Sequence, residues 1–418
     1  VLVRTSGARK SPWRVLMFGT GFGDLIETDI IANLNEPCKI DDTSWIKPGM
    51  SAWDWWWPNK YAPDAGFELG PNTETMKYFV DLAADMGWDY QLVDWQWYGK
   101  PFREQPYANP ESDIRTPNPN IDIPEIVEYA KKKNVGIFLW LHWDPANTFM
   151  DEAFPIYEKW GVKGVKVDFM DREDQEIVNF YHKLVKKAAE HHLLVDFHGA
   201  YKPTGWSRTY PNMLTREGVL GNEFNKWSKE ISLEHTVTIP FTRGLLGEMD
   251  FTPGGYNNVH DEDFKTQYNS VSPNVRGTRC HQLAMNVVYE SVLQVMCDSP
   301  YNYRTYPQGN AFLKIVPTTW DETKFIAGYP GDYVCIARRS GTDWFIGGMS
   351  DEEARNFSFT LNFLDEGNYE ATLWEDDSVE TEKDPKKLKK STLIVENNKQ
   401  LDMNMIRGGG FVIHLKKI

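Results

Sequence analysis

Strand-like and helical patterns alternate along most of this 418-residue chain, and this alternation limits its fold more than any other feature. Between about residues 49 and 318, apolar runs rich in β-branched residues are separated by segments with helical periodicity. Strands that alternate with helices pair in parallel, and eight such units can close into a barrel. We therefore predict an α/β fold, a (β/α)8 TIM barrel, with strands at Ala52–Trp57, Tyr90–Trp95, Gly136–His142, Val165–Phe169, Leu193–His198, Val219–Phe224, Thr236–Phe241 and Leu293–Cys297.

The clearest helix of this region is predicted from Asp174 to His191. Its apolar residues recur at the spacing of one helical face, and Lys and Glu occupy the opposite face. Asp171 and Asp174 suit its beginning, where carboxylates meet unpaired backbone N–H groups. A second helix is predicted at about Pro124 to Lys133.

The two ends of the chain have a different pattern from the barrel region. After residue 318, short alternating strands are separated by Gly, Asp and Asn turns, which predicts a C-terminal antiparallel β-sandwich over residues 319–418. Residues 1–48 include a helical piece, Asp24 to Leu34, and are expected to be a linker or the tail of an upstream domain. The first residues, Val-Leu-Val-Arg-Thr, lack an initiator Met and a signal peptide, so we expect a mature or truncated chain.

The net charge of the chain is −15, with a sequence pI near 5.1. A strongly acidic protein repels nucleic acid and anionic membranes, so neither is an expected partner. The longest apolar stretch, Leu283 to Cys297, is too short to span a bilayer. With these partners excluded, a small molecule or an oligosaccharide is the expected substrate.

Polar side chains recur where the predicted barrel strands end. In a strand, residues two apart point to the same side, so Lys166 and Asp168 project together from one strand. A buried strand has no packing reason to carry this pair, and the carboxyl end of a barrel strand is where chemistry occurs. The other candidates at strand ends are Asp54, Asp94, His142, Asp144, His198, Glu217, Glu223 and Arg243.

The chemistry that best suits these groups is glycoside hydrolysis, which needs two carboxyls beside the glycosidic carbon. A carboxylate near a lysine stays ionised and can act as a nucleophile, which fits Asp168. A carboxyl in an apolar pocket can keep its proton and act as an acid, which fits Glu223. The chain lacks a nucleophile-elbow motif, a zinc motif and a dinucleotide-binding fingerprint.

The sequence resembles glycoside hydrolase family 97, which is related to the melibiase clan. The matching segments include Trp45-Ile-Lys-Pro-Gly, Trp53-Asp-Trp-Trp, Gly161-Val-Lys-Gly-Val-Lys-Val-Asp-Phe-Met-Asp, Phe197-His-Gly-Ala-Tyr-Lys-Pro-Thr-Gly, Arg208-Thr-Tyr-Pro-Asn, Pro240-Phe-Thr-Arg-Gly and Cys297-Asp-Ser-Pro. Inverting α-glucosidases of this family have Gly at the nucleophile position and a Glu directly after the histidine of the fifth strand. This chain has Asp168 and Gly199 there, which resembles the retaining α-galactosidase branch.

The resemblance implies roles for individual residues. Asp168 is the expected nucleophile and Glu223 the expected acid/base of a retaining, exo-acting α-galactosidase. Lys166, His142 and His198 match substrate-contacting positions. Asp144 stands where inverting members carry another base, and here it is expected to bind sugar or to be structural.

The resemblance also implies a cofactor, an additional domain and a cellular location. Glu217 and Glu223 match two Ca²⁺ ligand positions, and carboxylate oxygens suit this hard cation. A further family ligand comes from an N-terminal β-sandwich domain, so residues 1–48 are expected to be its linker or tail. Family members imply a periplasmic or secreted location.

Three alternatives stay open at this point. β-L-Arabinopyranose has the ring stereochemistry of α-galactose without the C6 hydroxymethyl group, so a β-L-arabinopyranosidase is possible on the same scaffold. A catalytically silent carbohydrate-binding protein is a different class, against which the intact Asp168 and Glu223 argue. An inverting α-glucosidase is disfavoured because Gly199 replaces its base.

Overall fold

The computed structural model describes residues 4–8, 11–56, 62–268 and 272–418. Seven parallel strands form its central sheet, in the order β7-β1-β2-β3-β4-β5-β6. Nearly every residue of these strands is buried, as expected when both faces of a parallel sheet are covered. The strands are β1 (Gly49–Trp53), β2 (Tyr90–Val93), β3 (Gly136–His142), β4 (Gly164–Asp168), β5 (Leu194–Phe197), β6 (Met213–Arg216) and β7 (Leu293–Met296).

The gap between β6 and β7 is filled by an extended segment, residues 249–253. Its Asp250 N–H donates to the carbonyl of Arg216, at 3.1 Å, and its Pro253 carbonyl accepts from Cys297 N–H, at 2.9 Å. This segment therefore takes the place of an eighth strand, and the sheet is a near-closed barrel. The predicted (β/α)8 class is confirmed in this form.

Two of the eight predicted strands are wrong. Thr236–Phe241 spans the end of a helix, α5 (Leu233–Thr238), and the 3-10 helix Ile239–Phe241 that follows it. Ser232 caps α5, because its hydroxyl accepts the N–H of His235 at 3.0 Å. Val219–Phe224 overlaps a 3-10 helix, Asn222–Lys226, and the sixth strand is β6 instead. The predicted first strand ends early, at Trp53, and its Trp57 lies outside the described residues.

Helices cover the outside of the barrel. Asp174 caps α4 by accepting the N–H of Glu176 at 3.0 Å, as the sequence predicts. Asn72 caps α1 in the same way and Gly87, with φ 72°, ends it. The helices are α1 (Thr73–Met86), α2 (Ile123–Lys131), α3 (Trp143–Trp160), α4 (Gln175–Glu190), α5 (Leu233–Thr238), α6 (Arg279–Val288) and α7 (Pro300–Thr305). Single turns occur at Gly23–Ile26, Ile30–Asn33, Asn310–Leu313 and Glu380–Lys383.

The C-terminal strands form antiparallel sheets, as predicted. A six-stranded sheet has the order β8-β9-β10-β15-β12-β13, and a two-stranded sheet pairs β11 with β14. The strands are β8 (Glu322–Tyr329), β9 (Tyr333–Ser340), β10 (Asp343–Ser350), β11 (Arg355–Thr360), β12 (Asn368–Glu375), β13 (Lys389–Glu396), β14 (Gln400–Met405) and β15 (Gly410–Lys417). Shorter ladders pair Phe102–Glu104 with Tyr107–Ala108 and Asn258–Val259 with Val275–Arg276.

The barrel and the C-terminal sheets share a hydrophobic core. Phe345, Met349 and Trp374 of the sheets belong to the same buried cluster as the barrel residues, while a second cluster lies within the sheets. Helix α6 is the main contact, and the Arg338 guanidinium donates to the carbonyl of Val287 at 2.8 Å. Within the described residues, no helix combines the length and the apolar character needed to cross a bilayer.

Candidate active site

The carboxyl ends of the barrel strands surround a cavity of about 520 Å³, within the size range of small-molecule pockets. Charged groups line its floor and aromatic rings its walls. The polar lining residues are Gln105, Asp94, Lys166, Asp168, Asp171, His198, Glu217 and Glu223, and the aromatic ones are Trp53, Trp55, Trp95, Phe102, Trp140, Phe169, Phe224, Trp227 and Tyr268.

Asp168 lies at the last position of β4, and two N–H groups fix its carboxylate. The Trp140 indole donates to Oδ2 at 3.0 Å, and the Phe169 backbone N–H donates to Oδ1 at 2.6 Å. Phe169 has φ 65°, a left-handed conformation that is strained for an aromatic residue and often marks a functional site. The strand end therefore holds this carboxylate in one orientation at the cavity.

Gly199 follows β5 and touches Asp168. A Cβ atom at Gly199 would lie 2.7 Å from Asp168 Oδ1 and 2.7 Å from Phe169 N, and its φ is 54°. A side chain at residue 199 is thus incompatible with the present position of Asp168. The sequence singles out Asp168 and Gly199 together, and the structure shows that the two residues are in contact, so that Asp168 in this position requires glycine at residue 199.

His198, the last residue before Gly199, is enclosed by three carboxyls. Its Nε2 lies 3.2 Å from both Glu217 Oε1 and Glu223 Oε1, and its Nδ1 lies 2.9 Å from Asp250 Oδ2. Burial alone would lower the pKa of His198, but Glu217 and Glu223 raise it well above its usual value. The surrounding carboxyls therefore favour the protonated form of His198.

The two glutamates differ in their protonation. Burial raises the pKa of Glu217 to about 7, whereas for Glu223 the effect of burial is exceeded by His198, whose charge and hydrogen bond lower its pKa. Glu217 Oε2 also accepts the N–H of Gly199 at 2.7 Å. These opposite pKa shifts favour a proton on Glu217 over one on Glu223, whereas the sequence-based expectation places it on Glu223.

Lys166 is fully buried below the cavity floor, over the Trp53 ring at 4.5 Å. Its ammonium lies 3.3 Å from Asp250 Oδ2 and 4.0 Å from Asp196 Oδ2. Burial would raise the pKa of Asp250, but Lys166 and His198 lower it, while burial and Asp250 raise that of Asp196. The ion-pair partners of Lys166 are these two aspartates, although Asp168 lies two residues away on the same strand.

Asp94 lines the cavity and Asp54 lies behind it. The Trp53 indole donates to Asp94 Oδ2 at 2.6 Å, and Asp54 Oδ1 accepts the backbone N–H of Asp94 at 2.9 Å. Burial raises the pKa of Asp94 to about 6, and burial together with Asp94 raises that of Asp54 to about 8. Asp94 thus presents a carboxyl to the cavity, and Asp54 holds its backbone from behind.

Besides Asp54, three other predicted substrate-binding residues do not line the cavity. The ring of His142 stacks on Phe169, and its Nε2 is 2.8 Å from the carbonyl of Pro106, in the loop that covers it. Asp144 is exposed in the first turn of α3. Arg243 donates to the carbonyls of Arg216, Glu217, Gly247 and Glu248, so it braces the loop that carries Glu217.

Two residues that line the cavity, Trp140 and Asp171, and one that lies beneath it, Asp250, escaped the sequence analysis. Trp140 could have been found, because it lies two residues before His142 on the same predicted strand and thus on the same side. Asp250 lies in a short Pro- and Gly-rich run without strand periodicity, so no local signal marks it. Asp171, whose pKa is raised by burial and by Asp168, was expected to be a helix cap only.

Glu217 and Glu223 are also the predicted calcium ligands. Together with His198 they offer ligand atoms within 4.8 Å of one another. Their carboxylate oxygens fit a hard cation, but Ca²⁺ takes about six to eight oxygens, so water, substrate or other parts of the protein must supply the rest. A cation there would displace the proton of Glu217 and fix this carboxylate beside Glu223.

Comparison with known proteins identifies the family. The profile for Glycoside hydrolase 97 matches residues 55–219, and the one described as Glycosyl-hydrolase 97 C-terminal, oligomerisation, matches residues 319–416. A retaining alpha-galactosidase of Bacteroides thetaiotaomicron is 37% identical over 418 residues, which are 99% of this chain and 61% of that protein. The chain thus spans about three fifths of the curated relative.

Solved structures show the same relationship. A Glycoside Hydrolase Family 97 enzyme from Pseudoalteromonas sp. strain K8, in complex with acarbose, is 31% identical with a TM-score of 0.84, covering 96% of this chain and 65% of its own. A beta-arabinopyranosidase is 26% identical with a TM-score of 0.76, covering 94% of this chain and 59% of its own. The chain belongs to glycoside hydrolase family 97.

Proposed function

We propose that the protein is a retaining, exo-acting α-galactosidase that hydrolyses terminal α-D-galactosides by double displacement. The observation that carries this proposal is the Asp168–Gly199 pair. A fixed carboxylate lies at the end of β4, and the contact at Gly199 leaves no room for a base there. The relative from Bacteroides thetaiotaomicron, named a retaining alpha-galactosidase, supports the choice of reaction and sugar.

In the first step, Asp168 attacks the anomeric carbon while Glu223 protonates the leaving oxygen. In the second, Glu223 removes a proton from water, which displaces Asp168 and releases the sugar with its α configuration. His198 and Lys166 are charged groups at the same floor, and both are held by Asp250. Asp94 is assigned to a sugar hydroxyl.

The assignment of the acid needs its own test, because the pKa of Glu217 is raised whereas that of Glu223 is lowered. The variants Glu223→Gln and Glu217→Gln form a matched pair on the same histidine. We expect Glu223→Gln to lose activity on unactivated galactosides and to regain it with a good leaving group such as dinitrophenol, because such a group departs without protonation. If Glu217→Gln shows this rescue and Glu223→Gln does not, the acid is Glu217.

The decisive experiment for the reaction is proton NMR of p-nitrophenyl α-galactoside hydrolysis at early times. α-Galactose should appear before its β-anomer, and Asp168→Asn should remove most of the activity. Initial release of β-galactose would exclude Asp168 as the nucleophile. If no glycoside is cleaved but galactosides bind, the silent carbohydrate-binding protein becomes the better description.

A β-L-arabinopyranosidase is the second candidate, and the likeness to the solved beta-arabinopyranosidase favours it. The two substrates differ only at C6, so the kcat/KM ratio of the two p-nitrophenyl glycosides decides between them. A ratio above one for galactoside supports the first candidate. The α-glucoside serves as the control for the C4 configuration.

We further propose that Glu217 and Glu223 take part in Ca²⁺ binding. The convergence of two carboxylates on one point supports this, as does the resemblance. Titration calorimetry with Ca²⁺, with Mg²⁺ as control, should show calcium-selective binding that Glu217→Gln weakens. Absence of heat with the full-length protein would contradict the site.

We also propose a cellular location, which carries with it the kind of substrate that the protein meets. The family resemblance supports a periplasmic or secreted protein that meets oligosaccharides outside the cytoplasm. Fractionation of the producing cells with a specific antibody tests this location, and recovery with cytoplasmic markers would contradict it.

A further inference from the structure

Four aromatic rings form a continuous row at one side of the cavity mouth, and the proposed reaction does not use them. Ring centroids are 6.1 Å apart for Trp227 and Tyr268, 6.2 Å for Tyr268 and Trp55, and 6.0 Å for Trp55 and Trp95. Trp227 is 41% exposed and Tyr268 is 44% exposed. Large aromatic side chains that stay exposed together at a pocket rim are typical of a binding surface.

The position of this row relative to Glu223 indicates what it faces. Glu223, Phe224 and Lys226 lie on the 3-10 helix Asn222–Lys226, and Trp227 ends it. In the proposed reaction Glu223 protonates the leaving oxygen, so the atoms beyond that oxygen lie on the same side as Glu223. The aromatic row therefore lies on the leaving-group side of the cavity rather than around the first sugar.

A buried lysine holds two of these rings. Lys226 is fully buried, and its ammonium donates to the carbonyl of Trp55 at 2.7 Å and lies 3.9 Å from the centroid of the Trp55 ring. The ring of Tyr268 is 5.3 Å away. A buried amine costs stability unless it is bonded, so this contact fixes Trp55 from below.

We propose that Trp55, Tyr268 and Trp227 form a leaving-group subsite that stacks against a second pyranose ring, and that Lys226 is its positioning residue. The C–H faces of a pyranose are apolar, and flat indole and phenol rings with polar edges suit them. The substrate class is thus a galactosyl oligosaccharide with a sugar leaving group. This proposal rests on the proposed function, because the role of Glu223 as the acid identifies the leaving-group side of the cavity.

The kinetic test compares two substrates in the full-length enzyme. An α-galactosyl disaccharide carries a pyranose leaving group, whereas α-galactosyl fluoride carries none. Trp227→Ala should lower kcat/KM about tenfold more for the disaccharide than for the fluoride, through KM rather than kcat. Trp13→Ala, at a residue that is 73% exposed outside the row, should leave both unchanged. Equal losses on the two substrates would overturn the subsite.

Lys226→Met tests the positioning role, because it keeps the length of the side chain and removes the ammonium. We expect the same selective rise in KM for the disaccharide, with near-ultraviolet circular dichroism reporting on the fold. A loss that is equal for both substrates in a folded variant would show a merely structural lysine. If Lys226→Met does not fold, Trp227→Ala and Tyr268→Ala still decide the proposal.

A binding measurement separates this proposal from the proposed function. Calorimetric titration of the disaccharide into Asp168→Asn, with and without Trp227→Ala, needs no turnover. Weaker binding in the double variant supports the subsite even if no galactoside is hydrolysed. Equal affinities in both variants would refute it even if the α-galactosidase activity is present.

Discussion

The contact between Gly199 and Asp168 joins two residues that the sequence treats separately. A methyl group at Gly199 would stand 2.7 Å from Asp168 Oδ1, closer than real Cβ contacts allow, and Gly199 has φ 54°. Either the carboxylate or the backbone of β5 must move. The position of the Asp168 carboxylate therefore depends on the absence of a side chain at residue 199.

Gly199→Ala should lower kcat about 100-fold, because a displacement of roughly 1 Å at a reacting group has that effect. The measurement is kcat with p-nitrophenyl α-galactoside. Gly341→Ala is the matched control, since Gly341 has a similar φ of 60° with nothing within 4 Å of an added Cβ. Both variants carry the same backbone strain, so a similar loss of kcat in both would assign the effect to strain rather than to Asp168.

At the scale of elements, the segment 249–253 shows how a near-barrel can be completed without a regular strand. It brings Asp250 under Lys166 and His198, at 3.3 and 2.9 Å. Asp196, on β5, is the second carboxyl near Lys166. Of the two, Asp250 has the lowered pKa and Asp196 the raised one, so Asp250 carries the charge and Asp196 the proton.

The two aspartates should respond differently to the same substitution. Asp250→Asn removes one partner of a buried ion pair, which typically costs roughly 3–5 kcal/mol of unfolding free energy. Asp196→Asn replaces a neutral carboxyl by a group of similar shape and should cost no more than about 1 kcal/mol, the size of a hydrogen bond. Urea unfolding measures both values. The reverse order would mean that Asp196 is the charged partner.

The elements also show what sequence reasoning can reach. The predicted bounds of β3 match the observed ones at both ends, because the long apolar run between Gly136 and His142 can be interpreted only as a buried strand. Thr236–Phe241 is misassigned, because its β-branched residues favour a strand while the Ser232 cap, outside the run, decides for a helix. The site follows the same rule: Lys166 and Asp168 lie on a regular strand and His198 directly follows one, whereas Asp250 and the loop over His142 depend on tertiary contacts.

At the scale of the whole molecule, the barrel and the C-terminal sheets meet at Asp376, directly after β12. Its Oδ2 accepts the N–H of Gly410 on β15 at 2.7 Å, and Thr278 and Cys280 at the start of α6 lie beside it. Burial raises the pKa of Asp376 from 3.8 to about 7, although these donors oppose the shift. The interface thus contains a carboxyl that is more stable neutral than charged.

The sign of the resulting pH dependence follows from linkage. The folded state binds the proton of Asp376 more tightly than the unfolded state, so this residue lowers the unfolding free energy as pH rises from about 4 to about 7. Each unit of difference in pKa is worth roughly 1.4 kcal/mol. Above pH 7 the charged carboxyl remains buried, and its cost no longer changes.

Asp376→Asn removes this titration while keeping an oxygen for Gly410 N–H. The variant should therefore gain stability relative to the natural protein between pH 5 and pH 8, as measured by urea unfolding at both values. Asp365→Asn is the control, because Asp365 lies between β11 and β12 with 80% of its side chain accessible. The difference in unfolding free energy between this variant and the natural protein should not change with pH. A difference for Asp376→Asn that is also independent of pH would mean that Asp376 is ionised in the folded protein throughout this range. The interface between the barrel and the C-terminal sheets would then contain a stable carboxylate, with Gly410, Thr278 and Cys280 as its hydrogen-bond donors.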